Sequence, residues 1–543
     1  MATGQTKNKS GNFLVQGSIL AIAGIIVRLI GLAYRIPLIR IIGDEGMGYY
    51  SVAFEVYSVI LLLSSYSLPL AVSKMVSAKI AEDDYLNADR IFKVSLIYAT
   101  IVGFVGCIFV WLSADWFANI FYKLPLCKYA LISLAPTIWI AAYLGVLRGY
   151  YQGRSTMVPT AVSQIFEQIV NAFVSVGAAW WLCDMALKAA KGESVASAWG
   201  AAGGTIGTGA GALAALIILI VLFIKGRKEW RSRVDTSVAN GVNADRYRDI
   251  SKILLLTAIP VILSSVVNNL TGIIDAEIFS STMVSDFGIS PSIAAANYGV
   301  FTGKFKTLAN IPIAIANALS SSIIVVMSTA VVENNKKGVQ DAITLSLRFT
   351  ILIALPASVG LAVLGDPIIS LLFGKSDLAV SIMTLGAAGI FFNSIATVSN
   401  SILQGNSYMR IPVINLIISL VIHVVFLLIM LKVLNLGIYG VVYAYDLFGL
   451  CIYVLNAISM KNRIGYKSEV MITYIKPLIC SAVMGLAAFM MLKLTRRVTT
   501  SNFIITFVCM AVSVLVYAVM VVITGTVTKD ELKRFPVIKR FIK

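Results

Sequence analysis

One histidine, His423, and six cysteines with no C-x-x-C or Cys/His spacing leave this 543-residue chain short of the side chains that build metal sites, disulfide frameworks and acid–base catalysis. No glycine-rich loop stands between a strand and a lysine in register, which excludes a cycle driven by ATP hydrolysis on a phosphate-binding loop. Charge is scarce as well: Asp, Glu, Lys and Arg make up 13% of residues against 58% hydrophobic ones, with a mean hydropathy of +0.88. That balance excludes a soluble globular chain and reads as an all-α polytopic membrane protein, not an enzyme. The polar start MATGQTKNKSGN leads into a span too long for a signal peptide, so the first helix is expected to be retained.

Apolar runs of about 20 residues number about 14. They are expected near 13–42, 46–73, 91–114, 125–147, 156–182, 196–224, 253–280, 297–332, 343–365, 378–403, 411–434, 437–460, 470–492 and 503–526, with 368–373 as a candidate separate piece. Two internal matches lie six helices apart. Gln152-Gly153-Arg154-Ser155-Thr156-Met157 before Pro159 recurs as Gln404-Gly405-Asn406-Ser407-Tyr408-Met409 before Pro412, and Leu68-Pro69-Leu70-Ala71-Val72 recurs as Ile311-Pro312-Ile313-Ala314-Ile315. The expected organisation is an N-lobe (1–224, helices one to six), a cytoplasmic linker (225–252), a C-lobe (253–460, helices seven to twelve), two further helices (461–526) and a basic cytoplasmic tail (527–543). Two parallel six-helix repeats are a layout for alternating access. Pro37, Pro69, Pro136, Pro260, Pro312 and Pro356 interrupt spans and read first as static kinks. Helix six carries Gly200, Gly203, Gly204, Gly207, Gly209 and Gly211, a pattern for close helix packing rather than phosphate binding.

With the N-terminus inside, inward loops and tails hold roughly 30 of the 44 Lys and Arg, so both termini are expected in the cytoplasm. The net charge of +18 is concentrated in those short loops and the tail, which fits anionic membrane lipid and not nucleic acid. Arg28, Arg35, Lys304 and Lys306 fall within spans and are not explained by topology. A guanidinium at mid-membrane costs roughly 2.5–3.5 kcal/mol even on the lenient insertion scale, and arginine cannot shed its proton. Arg28 and Arg35 are seven apart, so they share one helical face with Gly24 and Gly31. That face calls for an anionic partner.

The run Arg28-Leu29-Ile30-Gly31-Leu32-Ala33-Tyr34-Arg35, followed by Ile41-Ile42-Gly43 and Gly48-Tyr49-Tyr50, resembles the first-helix signature of polysaccharide-lipid exporters. With the duplicated Gln-Gly turn, the whole chain resembles the stage V sporulation protein B and MurJ-like branch of the multidrug/oligosaccharidyl-lipid/polysaccharide (MOP) exporter superfamily. The resemblance implies a flippase of the bacterial cytoplasmic membrane that moves lipid II, the undecaprenyl-pyrophosphate-linked peptidoglycan precursor, by alternating access through a cationic central cavity, alongside the cell-wall synthesis machinery. A flippase for another polyprenyl-linked glycan, such as a teichoic acid, capsule or O-unit, is the alternative; a multidrug cation antiporter is disfavoured because the arginines would repel its substrate. Arg28 and Gly31 match the family's first-helix residues, and Arg35 lies where the family places further cavity charge. Where the better-known branch has an acid after the later arginine and two arginines on helix two, this chain has Ile36 and Ser64-Ser65. Lys304 or Lys306 would then substitute; two positions apart, about 200° around a helix, at most one faces the cavity.

Glu55 on helix two is expected either to balance the cavity charge or to pair with Arg28 or Arg35. Asp275 and Glu277, with Asn268 and Asn269 before them, are candidates for holding a coupling ion, Na+ or H+, and resemble the region where the family's second lobe can hold sodium. Asn415 and His423 on helix eleven could complete such a site, although a buried interhelical hydrogen bond is the favoured reading of His423, as is an interhelical contact for Glu167. Otherwise no cofactor is expected, and energy would come from an ion gradient or the membrane potential.

Overall fold

The computed structural model describes residues 2–66 and 68–526, without the side chains of 2–18, 21, 65–66, 258–268, 321–322 and 325–326. The expected features at Pro260, Asn268 and the basic tail 527–543 lie outside the described residues. Sixteen α-helices follow one another with no strand among the described residues: α1 (Ala2–Leu61), α2 (Leu68–Ala81), α3 (Tyr85–Trp116), α4 (Lys128–Gly153), α5 (Val158–Lys188), α6 (Glu193–Ala239), α7 (Tyr247–Ser281), α8 (Pro291–Gly299), α9 (Lys306–Val332), α10 (Lys336–Phe373), α11 (Asp377–Leu385), α12 (Ala387–Gly405), α13 (Arg410–Leu428), α14 (Ile438–Ile464), α15 (Lys476–Val498) and α16 (Asn502–Ile523). An apolar solvent explains the uniformity, because a helix satisfies its backbone internally. Ten stretches among the described residues are long and apolar enough to cross a membrane, eleven if α11 and α12 form one bent span.

Part of the difference from the expected 14 is local. The first two expected spans run together in α1 and part only at Gly43, where φ is 71° and ψ is −179°. Only glycine adopts that backbone geometry without strain. The segment 368–373, a candidate for a separate piece, is the end of α10, which continues through Pro367 to Phe373. The helix that does break is the next one, at Gly386.

Contacts divide the chain into two compact units, Met1–Gly303 and Lys304–Lys543. In the first unit, α7 and α8 pack with α1, so these helices join it although the expected lobe boundary precedes them. The segment 225–239, expected as linker, continues α6 as helix, and the loop is 240–246. The glycines of α6 do what their spacing implies: at Gly203, Gly207 and Gly211 a side chain would collide with the α5 backbone at Ala178, Ser175 and Glu167. The Ser175 hydroxyl donates to the Gly204 carbonyl at 2.7 Å across the same seam. Gly48 and Gly299 make a second close seam, against the backbone of Ala295 and Asp44 respectively.

A polar network fixes the α6 extension. Trp230, 2% exposed, donates Nε1–H to Asp89 at 3.0 Å, and the Arg154 guanidinium lies 5.0 Å from its ring. Lys79 bridges Asp84 at 3.1 Å and Asp245 at 3.2 Å, while Asn87 donates to the Asn243 carbonyl at 2.9 Å and accepts from the Asp245 amide at 2.7 Å. Burial by itself would raise the Asp84 carboxyl, but hydrogen bonds from Asn87 and Lys79 outweigh it and hold that group below the usual carboxylate range.

Two predictions follow from these contacts. Because the folded-state value is depressed, the stabilisation by Asp84 is present above the ordinary carboxylate pKa and fades as pH falls through the lowered one. Asp84→Asn should therefore lower the unfolding midpoint in detergent at neutral pH and narrow the gap to wild type in acid; an equal gap at both pH values would refute the linkage. Gly43→Ala should cost about 1–3 kcal/mol through backbone strain alone, since nothing lies within 4 Å of the added methyl. Gly177→Ala meets equally empty space at ordinary helical geometry and should leave the midpoint unchanged or slightly raised.

Candidate functional site

Between residues 22 and 42, α1 has one buried apolar side and one side that carries cationic residues. Leu38, Ile39 and Ile42 are buried, whereas Arg28 is exposed and Arg35 half-buried. Nothing lies within 4 Å of a methyl placed on Gly24, and the first atom met at Gly31 is Gln168 Oε1 at 4.0 Å. The two glycines thus leave clear space beside the arginines. Below them the face turns polar and aromatic: Arg35 acts electrostatically on Tyr50, Tyr50 stacks on Phe54 with centroids 5.7 Å apart, and Asn171 donates to the Tyr34 hydroxyl at 3.4 Å.

Within the same unit the acidic candidates are brought towards one another. Glu55 lies against Gly272 of α7, where a side chain would strike its carboxylate, and Asp275 is one turn further on, 2% exposed. Buried Tyr298 donates to the Gly272 carbonyl at 3.4 Å and experiences the charges of Glu55 and Asp275; buried Tyr122 experiences those of Glu55 and Glu277. Among the described residues no three His, Cys, Asp or Glu side chains converge as metal ligands would. Glu167 shows the interhelical role expected of it: Arg148 of α4 pairs with it at 2.6 Å and donates to Ser163 at 3.2 Å.

In the second unit, Lys304 is 4% exposed and Lys306 half-buried, so their environments differ as positions two apart require. Asn415 donates to Asn456 at 2.8 Å and to Ser459 at 3.1 Å, and Asn456 in turn donates to Ser399 and Asn400. This amide chain ties α13, α14 and α12 together. His423 Nδ1 meets the Ala444 carbonyl at 2.9 Å and its ring packs edge-on against Phe448, the interhelical contact expected for it.

Three charged residues missing from the expected set also lie in or at the edge of spans. Arg148 ends the fourth apolar run, Arg348 lies inside the ninth and Asp446 inside the twelfth. Their signal was a single charge in an apolar stretch, weaker than the paired arginines of helix one. Arg348 is 7% exposed and donates to the Thr526 carbonyl just beyond α16.

Comparison with known proteins agrees with this architecture. A family model described as polysaccharide biosynthesis protein matches residues 14–331, and one described as MatE matches 260–429. Stage V sporulation protein B of Bacillus subtilis (strain 168) is 25% identical over 98% of this chain and 99% of its own. The Lipid II flippase MurJ of the same organism is 25% identical over 87% of each. Among solved structures, Lipid II flippase MurJ in an inward closed conformation superposes with a TM-score of 0.68 at 15% identity, covering 93% of this chain and 98% of that one. An inward-facing multidrug resistance MATE family transporter of the MOP superfamily superposes with a TM-score of 0.64 at 17% identity, covering 82% and 98%. By their names MurJ is a flippase and the MATE protein a transporter. The chain is a multi-pass membrane protein that belongs to the polysaccharide biosynthesis protein family.

Proposed function

We propose that this protein flips a lipid-linked oligosaccharide across the bacterial cytoplasmic membrane, and that the substrate is lipid II. The observation that carries the reading is the open cationic face of α1, where Arg28 and Arg35 stand beside Gly24 and Gly31. A pyrophosphate leaving water must receive fixed donors in exchange, and the guanidinium fork binds phosphate oxygens two at a time. Arginines two turns apart, about 10 Å along the helix, can engage the pyrophosphate and the neighbouring sugar in succession. Glycine at positions 24 and 31 lets a bulky headgroup approach the backbone between them. The name of one relative, Lipid II flippase MurJ, supports this substrate class, and the equal 25% identity to stage V sporulation protein B, whose name gives no substrate, leaves another polyprenyl-linked glycan as the second reading.

In this reading the cycle is alternating access with both termini in the cytoplasm, Lys304 or Lys306 adding positive charge, and anionic lipid and cell-wall enzymes as neighbours. Energy comes from the membrane potential or from a coupling ion. For an ion, Asp275, Glu277 and Asn269 are the proposed binding residues, since the Asn415 amide is already shared between two partners.

The test is translocation in cells depleted of their own lipid II flippase. Wild type should restore growth, and Arg28→Ala and Arg35→Ala should each reduce lipid II exposure at the outer leaflet by about tenfold or more, the loss of a charge-assisted bidentate contact contributing about 1.5–3 kcal/mol. Arg28→Lys keeps the charge without the fork and should fall in between. Full activity of both alanine variants would remove the cationic-face mechanism, whereas rescue of a strain lacking a teichoic or capsular flippase, with none in the lipid II background, would select the second reading.

A further inference from the structure

The α5 helix carries two opposed stripes with the same spacing. Val162, Phe166, Ile169 and Phe173, at intervals of four, three and four, are exposed, as the lipid-facing residues of a span are. Gln164, Gln168, Asn171 and Ser175 repeat those intervals two positions later, about 200° around the helix, and so face inward. An inward polar stripe in a membrane helix marks either a contact between helices or the wall of a wet cavity.

The C-terminal half of the stripe is a contact. Buried Asn171 donates to the Tyr34 hydroxyl of α1 and accepts from the Ser175 hydroxyl at 2.8 Å. The N-terminal half is different. Gln164 and Gln168 are half-buried, and among the described residues neither amide has a hydrogen-bond partner. Leaving water without a partner is costly for an amide, which carries both a donor group and an acceptor oxygen.

The position of these amides relative to α1 says what they face. Gln168 Oε1 is the first atom that a methyl on Gly31 would meet, and that pair is separated by the same 137 positions as Tyr34 and Asn171. A constant offset means that α1 and α5 run parallel here, which brings Gln164 to the level of Val27, next to Arg28. The two helices thus meet at Tyr34 and leave a cleft from Gly31 to Gly24, with Arg28 beside one wall and the two glutamines on the other. Glu167, the acid adjoining Gln168 on α5, is held by Arg148 at 2.6 Å and does not cancel the positive charge of the cleft.

The two walls suit different parts of one ligand. A phosphate oxygen only accepts, and the guanidinium fork matches it; a sugar carries hydroxyl and acetamido groups that donate as well as accept, the pattern that a primary amide complements. We propose that Gln164 and Gln168 bind the glycan part of the transported headgroup, while the arginines hold its pyrophosphate. The inference rests on the lipid-linked oligosaccharide reading above and adds to it the residues that recognise the sugar.

The test measures binding of two probes to full-length protein in lipid nanodiscs: undecaprenyl pyrophosphate, and the same lipid carrying the lipid II disaccharide without its peptide. Wild type should bind the disaccharide probe about tenfold more tightly, each amide contributing roughly two- to tenfold through its hydrogen bonds. Gln164→Met and Gln168→Met, apolar and of similar length, should each reduce that ratio, and the double variant should bring it near one. Phe166→Leu, on the lipid side, should leave the ratio unchanged, and Arg28→Ala should weaken both probes. A wild-type ratio near one, whether or not the variants fold, or a ratio that survives in the double variant, would overturn the sugar assignment while leaving the cationic face in place. Binding of neither probe by wild type would instead refute the lipid-linked oligosaccharide reading, and this inference with it.

Discussion

A helix carries its own backbone hydrogen bonds into an apolar solvent, but a charged side chain cannot carry its water, and the structure follows from that asymmetry. The chain is helical throughout the described residues, so the backbone demands little of its neighbours. The charges demand a great deal. Arg148 is matched by Glu167, Arg348 by the Thr526 carbonyl past the end of α16, and Arg496 by Asp366. On helix one, Arg28 and Arg35 stand beside Gly24 and Gly31, which leave space next to them.

Close approach of backbones is one of the packing devices, since lipid offers no hydrophobic gain for bringing two helices together. The seams at Gly203, Gly207 and Gly211, and at Gly48 and Gly299, place backbone directly against backbone. Contact at that range tolerates little sliding. It gives the first unit a firm frame around α1, on which an open cationic stripe can be held in a fixed orientation.

How much of this could be read from the sequence depends on whether a feature is local. Arginines in an apolar run, the Gly43 boundary within Ile41-Ile42-Gly43, and the glycine repeat of α6 are written in neighbouring residues, and the structure reproduces the break and the close seam. The approach of Glu55 to Gly272 and Asp275 joins positions more than 200 residues apart, which no periodicity encodes. The α10 and α11–α12 regions show the opposite error. The candidate piece 368–373 is the end of α10, which runs through Pro367, whereas the bend falls at Gly386, within the expected span 378–403. Pro367 lacks a backbone donor, yet α10 continues through it to Phe373. At Gly386 a side chain would meet Phe305 and Val442, neighbours from elsewhere in the chain that the local sequence does not reveal.

The two helix breaks also show how the same electrostatic demand is met by different routes. After Gly43 the second half of α1 restarts with Asp44 and Glu45 in its own first turn, where carboxylates suit the positive end of the dipole, and Glu45 is further held by Tyr49 at 2.7 Å and Ser194 at 3.2 Å. That arrangement is local and firmly hydrogen-bonded. At Gly386 no acidic residue follows in the first turn of α12, and the carboxylate that lies against Gly389 is supplied by Asp446 of α14, a neighbour that only the folded chain brings there.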